Sequence, residues 1–303
     1  MYDIIIIGAG PAGLTAAIYG CRAAKKVLVL EAKTYGGQII NTLDIENYPV
    51  EAHISGYDFA TKIYNQAKEL GAEIVFEKVV NIKNNNEEKE VITNKNTYKA
   101  KTIIIATGSE NRKLGLDNED ELVGKGISYC ATCDGAFYKN KTVAVVGGGN
   151  TALEDALYLT NIAKKVYLIH RRDELRAEES TINLLKEKEN IKFVYNSNVS
   201  KLIAEDRLNS IEVTDNGGNV NIIEVDGLFV AVGRIPENQK FAQIIDLDES
   251  GYIIANEDCN TNVSGIFVAG DNRTKEVRQL VTATSDGAVA ATAAVKYINN
   301  SLK

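Results

Sequence analysis

The stretch Ile4-Ile5-Ile6-Ile7-Gly8-Ala9-Gly10-Pro11-Ala12-Gly13, followed by a helical run from Leu14 to about Ala24, decides the fold class. Four consecutive β-branched residues suit a parallel strand buried on both faces. Glycines at this spacing permit a tight turn, close approach of a pyrophosphate and close packing of the next helix, whose N-terminus then faces phosphate. A second apolar strand, Val27 to Leu30, ends in Glu31, where a carboxylate can accept from a ribose hydroxyl. A lone glycine motif is weak, but strand, glycines, helix, strand and acid together predict a dinucleotide-binding unit. Tyr35-Gly36-Gly37-Gln38 then reads as a flexible turn carrying an amide suited to a flavin edge. Short alternating strands, Glu73 to Ile82 and Val91 to Tyr98 around the turn Asn84-Asn85-Asn86, predict a β-meander that closes on Thr102 to Gly108.

The design then recurs. Setting Gly8 against Gly147 aligns Gly10 with Gly149, Leu14 with Leu153, Ala17 with Ala156 and Tyr19 with Tyr158. The second motif is Gly147-Gly148-Gly149-Asn150-Thr151-Ala152, again between an apolar strand and a helix. A second meander is expected over 191–225, with Asn216-Gly217-Gly218 as its hairpin turn, closing on Leu228 to Gly233. After Pro236 come one more strand with a glycine ending, Gly265 to Asp271, and a long alanine-rich helix from Gln279 to Ile298. This tail lacks a meander of its own, so it is expected to return and complete the first unit. The fold class is therefore α/β, with two Rossmann-like dinucleotide-binding domains of similar design, the second inserted into the first, each with a β-meander.

The second unit departs from the first where cofactor choice is made. Its strand Lys165 to Ile169 ends in His170-Arg171-Arg172, with Arg176 beyond, where the first unit has Glu31. An acid there favours a free 2′-hydroxyl and arginine forks favour a 2′-phosphate, so the site reads as one for NADPH. His170 is expected to shape this pocket rather than to transfer protons, and His53 to be structural.

Just ahead of the second glycine motif stands Ser128-Tyr129-Cys130-Ala131-Thr132-Cys133-Asp134-Gly135, a Cys-x-x-Cys with a carboxylate directly after it. A zinc site would need two further ligands of suitable kind and spacing. The chain has 4 Cys and 2 His, and Cys21, Cys259, His53 and His170 all stand alone. A redox pair fits best. The 303 residues, 45% hydrophobic and 25% charged, describe an ordinary globular protein long enough for two domains. A net charge of -7 without a basic cluster disfavours a nucleic-acid partner. No apolar run approaches a membrane span, and Met1 leads directly into the first strand without a leader, so a cytoplasmic protein is expected.

These motifs, in this order and spacing over the full length, resemble those of the low-molecular-weight bacterial thioredoxin reductases, a class of pyridine nucleotide-disulfide oxidoreductases. The Cys-Ala-Thr-Cys-Asp motif is the specific one, whereas the glycine motifs alone say only flavin and nicotinamide. The resemblance implies an FAD-binding domain over 1–113 and 241–303 and an NADPH-binding domain, carrying the Cys pair, over 114–240. For FAD it points to Gly8, Gly10, Pro11, Ala12, Gly13, Glu31, Gly36, Gly37, Gln38, Asn47, Gly108, Asp271, Arg278, Gln279 and Leu280. For NADPH it points to Gly147, Gly149, Asn150, Thr151, Ala152, His170, Arg171, Arg172, Arg176, Gly233 and Arg234. It implies a homodimer, with thioredoxin as partner and no metal.

By the same resemblance, electrons pass from NADPH through FAD to the disulfide and on to thioredoxin. Cys133 receives them against the flavin, Cys130 attacks thioredoxin's disulfide, and Asp134 supplies and removes the proton. Ala136 stands where the family often has Phe, and Asn272, expected at the flavin edge, where an aliphatic residue is usual. Alternatives are a reductase of another small disulfide protein, a dithiol oxidase, and a flavin-binding redox sensor without turnover.

Overall fold

A computed structural model describes residues 1–42, 44–51, 53–85 and 88–301, so Asn86 of the expected turn lies outside the described residues. The chain runs β1 (Tyr2–Ile7), α1 (Pro11–Arg22), β2 (Val27–Glu31), α2 (Gly56–Glu69), β3 (Glu73–Phe76), β4 (Val79–Asn85), β5 (Glu88–Thr93), β6 (Thr97–Ile105) and β7 (Ser109–Asn111). It continues through β8 (Ile127–Ser128), the short α3 (Ala131–Asp134), β9 (Thr142–Val146), α4 (Asn150–Thr160), β10 (Lys165–Ile169), α5 (Glu179–Lys186) and β11 (Ile191–Val194). The remainder is β12 (Ser197–Ala204), β13 (Leu208–Asp215), β14 (Val220–Glu224), β15 (Gly227–Val230), β16 (Arg234–Pro236), β17 (Ile266–Val268) and α6 (Leu280–Asn300).

Residues 1–110 with 235–303 form one compact unit and 111–234 form the other. In the first, β3, β2, β1 and β6 lie side by side in parallel, and β17 pairs with the far end of β6. The strand β6 serves two partners because it is long. Thr97 to Ala100 pair antiparallel with β5, and Ile103 to Ile105 pair parallel with β17. The tail thus completes the first sheet. In the second unit the order is β11, β10, β9, β15, β8, all parallel, beside a separate antiparallel sheet of β12, β13 and β14.

The unbroken isoleucine run follows from burial of both sheet faces. Side chains alternate along a strand, so Ile4 and Ile6 enter one core with Leu14, Ala17, Ala290 and Ala294, while Ile5 and Ile7 enter the other with Phe241, Ile245 and Ile253. The same alternation sends Val143 and Val145 to one side of the second sheet and Ala144 and Val146 to the other. Helix α6 packs on α1 so closely that a Cβ at Gly287 would overlap the Ala12 carbonyl oxygen.

Three expectations change. Glu73–Phe76 and Ile191–Val194 are parallel edge strands rather than parts of the meanders, which begin at Val79 and Ser197. An edge strand half-exposed to water alternates in polarity whichever way its neighbour runs. The helix α2 carries a readable start, since the Ser55 side chain accepts from the Asp58 amide at 3.0 Å, and the sequence reading passed over it. The chain also crosses between units earlier than 113/114 and 240/241. Residues 111–113 already belong to the second unit and residues 235–240 to the first. Ahead of Phe241, fully buried Asn238 donates to the carbonyls of Asn272 and Gly251 at 2.8 and 3.0 Å.

Candidate active site and nucleotide cradles

Cys130 and Cys133 are joined as a disulfide, with Cys130 at the N-cap of α3 and the sulfur of Cys133 one turn on. Ser128 braces this turn from β8. Its hydroxyl donates to Asp134 Oδ2 at 2.6 Å and accepts from the Cys130 amide at 3.1 Å. Burial pushes the Asp134 carboxyl up, and the Ser128 hydrogen bond only partly offsets this. A carboxyl placed so holds a proton at a higher pH than an exposed one, as proton exchange with a neighbouring thiolate needs. Ser128 was not singled out from the sequence, although it lies inside the quoted dithiol stretch. Phe137, beyond the altered Ala136 position, is 43% exposed.

The first glycine loop is built by steric necessity at two points. Gly8 has φ +110 and a Cβ there would overlap the Ala106 carbonyl oxygen, while a Cβ at Gly13 would overlap the carbonyl oxygen of Gly8. Gly10 instead faces open space, with only Gly37 Cα at 3.9 Å, and it caps α1 without a side-chain hydrogen bond. First-turn amides left without a side-chain acceptor suit a phosphate. Glu31 has a further duty, accepting from the Ala9 amide through Oε2 and from the Lys33 amide through Oε1, both at 2.8 Å. It ties β2 to the loop while keeping lone pairs for a ribose hydroxyl. Gly36 donates to the Ala9 carbonyl at 2.8 Å, which lays the Gly36-Gly37-Gln38 turn against Gly10.

The rest of the expected flavin set converges within the same unit. Asn47 Nδ2 donates to Gln279 Oε1 at 3.3 Å, and Gln279 closes a capping box with Thr282 at the start of α6, where Leu280 is the first residue. Arg278 stacks over Tyr252, 4.3 Å from the ring centroid, and donates to the Asp271 carbonyl at 3.4 Å. Gly108 takes φ +66 with open space where a Cβ would be.

Behind Asp271 lies a buried network that the sequence reading missed. Asp286 accepts from the Gly270 amide at 2.9 Å, from Arg273 at 2.8 and 2.9 Å, and from Lys275 at 2.9 Å. Burial alone would push this carboxyl up. The two cations and the amide outweigh that and hold it below its ordinary value. Its signal was the single acid within the apolar helix 280–300, directly before Gly287. Asn272, expected at the flavin edge, is instead placed in the core, where its Nδ2 donates to the Ile105 carbonyl at 3.2 Å and to Thr107 Oγ1 at 3.1 Å.

The second loop repeats the first with one addition. A Cβ at Gly147 would overlap the Ala231 carbonyl oxygen, Gly149 caps α4 without a side-chain bond, and a Cβ at Gly148 would overlap the His170 ring. The segment after β10 arches over this loop. The Arg176 amide donates to the Gly148 carbonyl at 2.6 Å and the Glu178 amide to Asn150 Oδ1 at 2.9 Å. His170 is buried, and its Nε2 has no protein partner. Burial, with Arg171 and Arg176 near, depresses its basicity despite a backbone bond at Glu174. Among the described residues, the guanidinium groups of Arg171, Arg172 and Arg176 make no hydrogen bond or ion pair. A glycine cradle, an orphaned buried nitrogen and three unengaged guanidiniums fit a phosphorylated dinucleotide. Gly233 takes φ +110 and its carbonyl accepts from the Arg112 amide at 2.9 Å, while Arg234 acts electrostatically on Asp155.

Comparison with known proteins agrees with this geometry. The family described as "Pyridine nucleotide-disulphide oxidoreductase" matches residues 2–287. A thioredoxin reductase of Listeria innocua is 45% identical across 98% of this chain and 94% of its own length. One from Bacillus subtilis is 42% identical across 98% and 95%. Among solved structures, thioredoxin reductase from Streptococcus pyogenes superposes with TM-score 0.94 at 39% identity, covering 99% of both chains. The chain belongs to the pyridine nucleotide-disulphide oxidoreductase family, among the thioredoxin reductases, whose cofactors are FAD and NADPH.

Proposed function

We propose that this chain reduces the disulfide of thioredoxin with electrons from NADPH, with FAD held by residues 1–110 and 235–303 and NADPH and the reactive cysteines held by 111–234. The observation that carries it is the Cys130–Cys133 disulfide with buried Asp134 beside it, in the same unit as a phosphate cradle edged by three unengaged arginines. The flavin supplies the step between two-electron hydride chemistry and thiol chemistry. The chain's own residues do the remainder. Gly147 to Ala152 and the arginines fix the nucleotide, and Gly8 to Gly13 with Glu31, Gly36 to Gln38, Asn47 and Asp271 to Leu280 fix the flavin. An electron pair entering at Cys133 breaks the S–S bond and leaves Cys130 as a thiolate. Cys130 then attacks thioredoxin's disulfide, and Cys133 resolves the mixed disulfide, with Asp134 taking up and returning the proton.

Turnover with thioredoxin and NADPH, run beside NADH and reduced ferredoxin, tests the reading. Fast thioredoxin reduction with NADPH alone supports it. Oxygen consumption with a small dithiol instead of thioredoxin reduction would establish the oxidase. We further propose a homodimer in the cytoplasm. A groove of about 940 Å³ along α6, lined by Val263, Val289, Ala293 and Tyr297 among others, offers a surface for a second copy. No described helix is long and apolar enough to cross a membrane. Sedimentation at twice the chain mass supports the dimer and a monomer excludes it; recovery in a membrane or secreted fraction excludes the location.

A further inference from the structure

The two residues ahead of Cys130 are both held by side-chain hydrogen bonds. Tyr129 donates through its hydroxyl to Glu119 Oε1 at 2.8 Å, and Glu119, itself buried, also accepts from the Leu114 and Gly115 amides at 2.9 and 2.8 Å. Ser128 lies in β8 opposite Phe229 of β15 and is 3% exposed. Its backbone is thus fixed on one side by the sheet and on the other by the anchored Tyr129. The Ser128 hydroxyl has one proton and two acceptors in reach, Asp134 Oδ2 at 2.6 Å and the Cys130 carbonyl at 3.2 Å. The shorter contact, to the carboxylate, takes the proton. The same hydroxyl oxygen accepts from the Cys130 amide at 3.1 Å. Among the described residues, Asp134 Oδ1 has no hydrogen-bond partner.

We propose that Ser128 is the positioning residue of the proton carrier: by engaging Oδ2 of Asp134 it leaves Oδ1 to exchange the proton with the cysteine pair, and by holding the Cys130 amide it keeps that carboxyl in register with the pair. This rests on the reading of Cys130–Cys133 as the electron relay. An electron pair from NADPH breaks the S–S bond into two sulfur anions, and one of them takes the proton from Oδ1, which gives a thiol, a thiolate and the Asp134 carboxylate. The proton returns to Oδ1 when that thiol must act as a thiolate. Oδ2 is the carbonyl oxygen of the neutral acid, so the Ser128 bond persists in both states and the carboxyl does not turn. Donation to the charged form favours it, and so offsets part of the upward push that burial exerts on Asp134. The titratable groups on the elements packed against this turn are Tyr138 just beyond it and Asp155 and Tyr158 on α4. Burial and Ser128 are the influences that act on Asp134 itself.

The test is the pH profile of kcat with thioredoxin for the full-length flavin-bound protein at saturating NADPH. Single-turnover bleaching of the flavin by NADPH confirms that the cofactors are seated. The ionisation that Asp134→Asn removes from this profile belongs to Asp134. Ser128→Ala is expected to move it upward by about one pH unit, a roughly tenfold rise in proton affinity, and Ser128→Thr, which restores the hydroxyl, to return it to within about half a unit of wild type. An ionisation unmoved in Ser128→Ala, or moved as far in Ser128→Thr, overturns the inference, as does a profile from which Asp134→Asn removes nothing. A merely structural Ser128 would lower Tm and leave the ionisation in place. Should the alanine variant not retain flavin, Ser128→Gly replaces it with the same outcomes. A wild-type protein inactive with thioredoxin defeats the functional reading; an active one with an unmoved variant defeats only the role of Ser128.

Discussion

Replacing Cys130 by serine is expected to abolish thioredoxin reduction while NADPH still bleaches the flavin. The two halves of this result separate because flavin reduction precedes thiol exchange. On the proposed reading NADPH binding draws on Gly147 to Ala152 and the arginines, none of which bonds the Cys130 side chain. Transfer onward needs a disulfide to accept the pair and a thiolate to attack thioredoxin. Serine offers neither, since no S–S bond can form and a hydroxyl is a far weaker nucleophile at neutral pH. Loss of an essential nucleophile lowers kcat by roughly 10⁴-fold or more. Anaerobic stopped-flow absorbance of the flavin, beside a thioredoxin-coupled turnover assay, reads both halves. Retained thioredoxin turnover would show that the Cys pair is not the conduit.

The second large effect concerns the donor. Substituting alanine for Arg171, Arg172 and Arg176 is expected to raise KM for NADPH far more than KM for NADH. Among the described residues the three guanidiniums make no hydrogen bond or ion pair that would be lost, so their removal is expected to cost the fold little and to fall on the ligand. A charge-assisted hydrogen bond to phosphate is worth roughly 1.5–3 kcal/mol, and exposure of Arg171 and Arg176 places their contacts at the lower end. The combined variant is expected to lose roughly 100-fold or more in selectivity for NADPH over NADH. Initial-rate measurements of flavin reduction with both donors decide this. Equal losses with the two would show that the arginines serve the shared part of the dinucleotide or the fold alone.

Much of the site was legible because its elements are local. The overlap that a Cβ at Gly13 would make with Gly8 is set by residues five apart, and Cys130 and Cys133 face each other across a single turn. The partners of charged groups were less legible. Glu31 was read as a ribose acceptor and also braces the Ala9 and Lys33 amides. Asp286 was not noticed, because a lone acid on an apolar helix looks the same whether it faces water or two cations. Asn272 looked like a substitution near the flavin and is a core pin on the end of β6.

By itself the sequence determined two dinucleotide-type units of one design, the insertion of one in the other, the Cys pair, and the arginines that stand after β10 where the first unit has an acid. Each rests on sterics, polarity or charge within a short window, which survives without knowledge of the rest of the chain. Tertiary structure alone decided which strands complete each sheet, since β17 joins β6 from 163 residues away and β8 joins β15 from 101 residues before it. It also decided that Glu73–Phe76 and Ile191–Val194 run parallel, that the crossings fall at 110/111 and 234/235, and that Glu31 captures the Ala9 amide. The physical reason is common to all of these. Edge direction, burial of a charge and capture of a backbone amide are settled by a distant partner's position, and no local pattern of side chains encodes that position.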